Sequence, residues 1–154
     1  MLFHMSIAAE DPQHVASVIA ELWRGQARPF PPIADNSWMA LAGDDRGTLV
    51  EVYPLGTVLR ETDGDADAHG EASGMDRFSA VHGAIATPLE RDEVLAIASR
   101  EGWPAKYRKR GGMFGVIELW IEGHQMMEVL TPEMQSEYLA AMGARERPGA
   151  ALQQ

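Results

Sequence analysis

Apolar residues recur along this chain in two rhythms, one helical and one of strands. Val15, Val18, Ile19 and Leu22 fall at i, i+3, i+4 and i+7 and make a single helical stripe. Asp11 stands as the N-cap of that helix, with Pro12 at its first position. A second stripe, Val94, Leu95, Ile97 and Ala98, follows Thr87, Pro88 and Glu90, which read as a T-x-x-E capping box. Thr131 and Pro132 open a third helix carrying Met134, Tyr138, Leu139 and Met142. Short runs predict strands: "FHMSIAA" (3–9), "SWMALAG" (37–43), "TLVEVYP" (48–54), "VHGAIAT" (81–87), "AKYRKR" (105–110), "MFGVIELWI" (113–121) and "HQMMEVL" (124–130). "ARPFPPI" (27–33) reads as an irregular edge strand, because proline cannot donate to a ladder. Asp44-Asp45-Arg46-Gly47, Gly111-Gly112 and Glu122-Gly123 supply the hairpin turns.

The second half of the chain repeats the first. "FHMSIAAEDP" and "VHGAIATPLE" each run apolar–His–x–small–Ile–Ala, then turn into a helix. His82 follows His4 by 78 positions and Glu128 follows Glu51 by 77, so the repeat extends to the glutamates of "LVEVYP" and "MMEVLTP". A period that long is a duplicated module rather than a solenoid. Each half reads β-α-β-β-β, which predicts an α+β fold of two βαβββ modules. The expected organisation is a first module over 1–60, an acidic flexible linker over 61–76, a second module over 77–131, and a C-terminal helix with a frayed tail over 132–154.

Composition narrows the functions. Thirteen basic against 23 acidic side chains give a net charge of −10, which repels phosphate backbones and argues against a nucleic-acid partner. The absence of cysteine excludes disulfides, thiolate metal sites and a cysteine nucleophile. No stretch reads as a signal peptide or membrane span, so the expectation is a cytoplasmic protein with no membrane contact.

The repeated positions carry the candidate chemistry. By strand alternation His4 shares a face with Ser6 and Ala8, and His82 with Ala80 and Ala84; these small neighbours leave room beside the rings. Glu51 shares its face with Leu49 and Tyr53, and Glu128 with Met126 and Leu130. Two buried carboxylates need a cation, and these four strands hold no lysine or arginine. A lone strand histidine or glutamate is ordinarily a core or surface residue. Here the same types recur in the same order in both halves. A divalent metal held by His4, Glu51, His82 and Glu128 would satisfy all four.

In these residues the chain resembles the vicinal oxygen chelate superfamily of glyoxalases, bleomycin- and fosfomycin-resistance proteins, extradiol dioxygenases and methylmalonyl-CoA epimerase. The resemblance covers residues 2–131 and rests on His4 in "FHMSIAA", Glu51 in "LVEVYP", His82 in "VHGAIAT" and Glu128 in "MMEVLTP". It implies paired βαβββ modules around a metal, with ligands on the first and last strands of each. The His-Glu-His-Glu order is similar to that of bacterial glyoxalase, which implies nickel, zinc, cobalt or manganese ahead of iron. The resemblance further implies a homodimer whose sites draw on both chains. The implied activity is a metal-dependent isomerisation or lyase reaction of a small vicinally oxygenated substrate through an enediolate or enolate. In it Glu128, or else Glu51, serves as base, and Tyr53, Arg108 and Met126 contact substrate. Two alternatives stand beside it: a metal-free protein that sequesters a small drug-like molecule, and an extradiol-type dioxygenase. The chain departs from the family's usual turn before the last ligand, where Glu122-Gly123-His124 stand, and no residues can be assigned to glutathione.

Lys106, Arg108 and Arg110 share a strand face, either to hold an anion at the cavity mouth or to guard an exposed strand. Asp63, Asp65 and Asp67 lack the glycine and glutamate that a calcium loop needs. His14, His69 and His124 read as surface residues, and the tryptophans as core or cavity lining.

Overall fold

The computed structural model describes residues 4–30, 34–45, 47–60, 69–73 and 82–145. Strand β1 (His4–Ala9) leads into helix α1 (Pro12–Trp23), then β2 (Gln26–Pro29), β3 (Trp38–Leu41) and β4 (Leu49–Pro54). A hairpin of β5 (Thr57–Arg60) and β6 (His69–Ala72) follows. The second unit runs β7 (Gly83–Ala86), α2 (Arg91–Glu101), β8 (Ala105–Arg110), β9 (Phe114–Ile121) and β10 (Gln125–Leu130), and closes with α3 (Pro132–Arg145). The two sheets have the same topology, β1-β4-β3-β2 and β7-β10-β9-β8. In each, the first strand lies parallel to the last and the remaining pairs are antiparallel. Both are therefore βαβββ units within an α+β fold, as the repeat predicts.

Alternation sorts each sheet into two faces. In the first, Ile7, Ala9, Val50, Val52 and Ala40 are buried together with Val15, Ile19 and Leu22 of α1. His4, Ser6 and Glu51 fall on the opposite face. In the second, Ile85, Ile117, Leu119, Met127 and Val129 are fully or nearly fully buried, and Glu118 and Glu128 fall on the other side. One continuous core joins the two units. Their first strands touch through a side chain: a Cβ on Gly83 of β7 would stand 2.4 Å from Met5 Sδ of β1.

Polar contacts fix the same seam. Arg100 of α2 donates two bonds to Glu21 of α1, at 3.0 and 2.7 Å, and one to its neighbour Glu101 at 2.7 Å. Glu101 in turn lies 2.7 Å from His14 Nε2. The guanidinium holds the Glu21 and Glu101 carboxyls below their usual range. His14 is exposed, as expected, yet it is a member of this cluster. At the far end of the seam Glu122 accepts the backbone N–H groups of Glu10 and Asp11, at 2.6 and 2.9 Å, and so holds the start of α1.

Several expectations need correction. Thr87 does not cap α2: Glu90 is the N-cap and Glu93 its reciprocal partner, one capping box further along. Thr87 Oγ1 donates instead to the carbonyl of Leu22, one of the last carbonyls of α1 that the helix leaves unpaired. Residues 69–72, expected in a linker, pair with 57–60 as a hairpin. Residues 61–68, with Asp63, Asp65 and Asp67, lie outside the described residues, as do 74–81, 146–154 and the side chains of His69 and Met142. The edge strand expected at 27–33 is β2, ending at Pro29. Leu139, expected on the packed side of α3, is 70% exposed, while Met134 is buried at 3%.

Candidate functional site

The two candidate ligand pairs occupy corresponding places. In the first sheet Glu51 is the register partner of Ser6 on β1 and of Met39 on β3. His4 lies two residues before Ser6, so His4 and Glu51 share the face turned away from α1. In the second sheet Glu128 is the register partner of Ala84 on β7. His82 stands two residues before Ala84 and just ahead of the strand. Both histidines are exposed and both glutamates half-buried.

Each glutamate has one occupied oxygen. Tyr53, 7% exposed and on the same face of β4, donates its hydroxyl to Glu51 Oε2 at 2.6 Å. Burial, followed by the bond to Glu51, pushes the Tyr53 hydroxyl far above its ordinary value, so it remains a donor. Arg110, the last residue of β8, donates from Nε and Nη2 to Glu128 Oε1 at 3.1 and 2.5 Å. The same Nη2 lies 2.8 Å from Glu118 Oε1 on β9. Glu118 is the direct cross-strand partner of Glu128, and two carboxylates so placed repel unless a cation bridges them. Arg110 is that cation, and its own proton affinity rises, chiefly through Glu128. Among the described residues, Glu51 Oε1 and Glu128 Oε2 have no donor and the His4 ring has no partner.

Two carboxylates were expected to meet a cation: Glu128 meets Arg110 from a neighbouring strand, and Glu51 meets the Tyr53 hydroxyl instead. Among the described residues no three His, Asp or Glu side chains are grouped to hold a metal. The backbone places His4 and Glu51 on one face of the first sheet, and His82 and Glu128 at the matching positions of the second. Imidazole nitrogens and carboxylate oxygens are donor types that a divalent ion takes.

Of the expected substrate contacts, Tyr53 is engaged with Glu51. Met126 is half-buried on the Glu128 face, opposite Trp120. Arg108 is exposed and lies 3.4 Å from Glu118. A cavity of about 500 Å³ opens beside His4, between the two units, walled also by Met5, Trp23, Leu49, Ile85 and Gln135.

Glu118 and His124 were missed. Glu118 is a single glutamate inside an apolar run, the signal that singled out Glu51 and Glu128. His124 is buried at 5%, not on the surface. Its Nδ1 lies 3.0 Å from the Glu122 carbonyl, and its Nε2 is buried without a hydrogen-bond partner.

No family model matches the chain, and no curated protein matches it. Solved structures do. Glyoxalase I of Leishmania major, described as trypanothione-dependent, superposes with a TM-score of 0.55 at 15% identity, covering 95% of this chain and 96% of the other. FosX, a fosfomycin resistance protein of Listeria monocytogenes complexed with Mn(II) and sulfate, gives 0.57 at 12% identity over 92% and 97%. The lactoylglutathione lyase of Agrobacterium tumefaciens gives 0.55 at 8% identity over 86% and 94%. The chain has the glyoxalase-like fold. At these identities the likeness is one of fold.

Proposed function

We propose that the protein is a glyoxalase-like, metal-dependent isomerase or lyase acting on a small vicinally oxygenated molecule through an enediolate or enolate. One observation carries this reading: a His/Glu pair recurs at matching places on the outer faces of both sheets. A homodimer completes the site, His4 and Glu51 of one chain meeting His82 and Glu128 of the other. Nickel, zinc, cobalt or manganese suits such a donor set; a manganese-bound FosX of the same fold supports a divalent ion. When bound, the ion supplies Lewis acidity to two neighbouring substrate oxygens.

The chain's own residues do the rest. Glu128 takes the proton from the carbon beside the substrate carbonyl with Oε2, and returns it to the neighbouring carbon. Tyr53 holds Glu51 in position through its hydroxyl and lies beside the substrate with Met126 and Arg108. The location proposed is the cytoplasm; no helix among the described residues is long and apolar enough to cross a membrane. Glu128→Gln should lower turnover of α-oxoaldehydes or epimerisable acids by a factor on the order of 10²–10⁴. Full turnover in that variant removes Glu128 from the role of base.

A second reading has its own support. The 500 Å³ cavity lies in the size range of small-molecule sites and is walled mainly by apolar side chains. Sequestration of a small apolar molecule without metal would use that cavity and leave Arg110 on Glu128. Metal content separates the two readings.

A further inference from the structure

We propose that Arg110 is the resident counter-ion of Glu128, that a divalent metal ion must displace it to load the site, and that Glu118 retains the displaced guanidinium. The inference rests on the metal-dependent reading above.

Geometry carries it. Arg110 approaches Glu128 Oε1 from two nitrogens, at 3.1 and 2.5 Å, a short charge-assisted contact. Both acidic side chains are well covered, Glu128 at 13% exposure and Glu118 at 16%, with Arg110 at 37%. Partial burial strengthens the contact over a surface pair, so a metal competes with a real interaction and not with water alone. Left on Glu128 beside a divalent ion, the guanidinium would add like-charge repulsion.

Glu118 solves the problem that displacement creates. A guanidinium stripped of every carboxylate in this half-covered place would be costly. Nη2 of Arg110 already lies 2.8 Å from Glu118 Oε1, so it can leave Glu128 and keep its second partner. Arg108, 3.4 Å from Glu118 Oε2, holds that carboxylate from the other side. The exchange therefore breaks one of two ion pairs and leaves charge balanced. Glu51, with only the neutral Tyr53 hydroxyl on it, meets no such competitor.

The test is a calorimetric titration of the full-length protein with MnCl2, comparing wild type with Arg110→Met, Glu51→Ala and Glu128→Ala. Arg110→Met is expected to bind Mn²⁺ about tenfold more tightly than wild type, since one charge-assisted hydrogen-bonded pair no longer competes. In wild type, which needs no variant to fold, the Arg110 Nε–H resonance should shift on addition of diamagnetic Zn²⁺ as Nε leaves Glu128. Unchanged affinity in Arg110→Met with an unmoved Nε–H signal, while Glu51→Ala and Glu128→Ala still weaken binding, overturns the counter-ion role and leaves the metal site standing. Absence of Mn²⁺ and Zn²⁺ binding in both wild type and Arg110→Met overturns the two together.

Discussion

Mixing Glu51→Ala protein with Glu128→Ala protein is expected to restore metal binding that neither variant has alone. Each variant removes a charged ligand from every site of its own homodimer, which should weaken metal binding by more than about a hundredfold. If His4 and Glu51 of one chain meet His82 and Glu128 of the other, a mixed dimer carries one site with both glutamates missing and one intact site. A fully exchanged mixture should then hold about a quarter of the wild-type metal, because half of the dimers are mixed and each has one good site of two. Sites built within one chain give no recovery. Among the described residues of one chain no three His, Asp or Glu side chains are grouped to hold a metal, which favours the first outcome.

The second large effect is on stability. Gly25→Ala should destabilise the protein by about 2–4 kcal/mol and lower its melting temperature by roughly 10 °C. Gly25 joins the end of α1 to β2, and its N–H bonds the Ala20 carbonyl at 2.8 Å. A Cβ there would stand 1.9 Å from the Leu41 carbonyl oxygen and 3.0 Å from its carbon. Those are backbone atoms of β3, held by the ladder to β2 and β4, and no rotamer change relieves the clash. Gly102 provides the comparison. It closes α2 with φ +69° and open space where its Cβ would lie, so Gly102→Ala meets only left-handed strain of about 1 kcal/mol. Thermal melts of both variants check the order; an equal or smaller loss at Gly25 contradicts the close packing of α1's exit on β3.

How much of this was legible depended on whether a feature is local or lies between strands. The stripe Val15, Val18, Ile19, Leu22 and its repeat after Thr87 were readable because burial of a helix face sets a period in sequence. The βαβββ order followed from the same repeat. Thr87 misled because T-x-x-E and the E-x-x-E of Glu90 and Glu93 both match a cap. The choice was made by the Leu22 carbonyl, 65 residues away. The β6 strand, "HGEA", is short and polar and carries no apolar rhythm, so its pairing with β5 left no local trace. The four candidate ligands were legible as repeated residues, but their matching register positions needed the pairing of the first and last strands of each sheet. Arg110 was placed on the correct face with Lys106 and Arg108. That it reaches across β9 to Glu128 needed the sheet order β10-β9-β8 and the register Glu128–Glu118. His124 follows a tight turn and so reads, from sequence, as a surface residue. Its burial comes from tertiary packing that no neighbouring residue signals.

The most direct test of the account is the metal content of purified, tag-free wild-type protein beside the Glu51→Ala, Glu128→Ala double variant, after both are exposed to nickel, zinc, cobalt and manganese and desalted. The account predicts close to one divalent ion per chain in wild type and none in the double variant. Metal-free wild-type protein after that loading, or equal metal in both proteins, contradicts it.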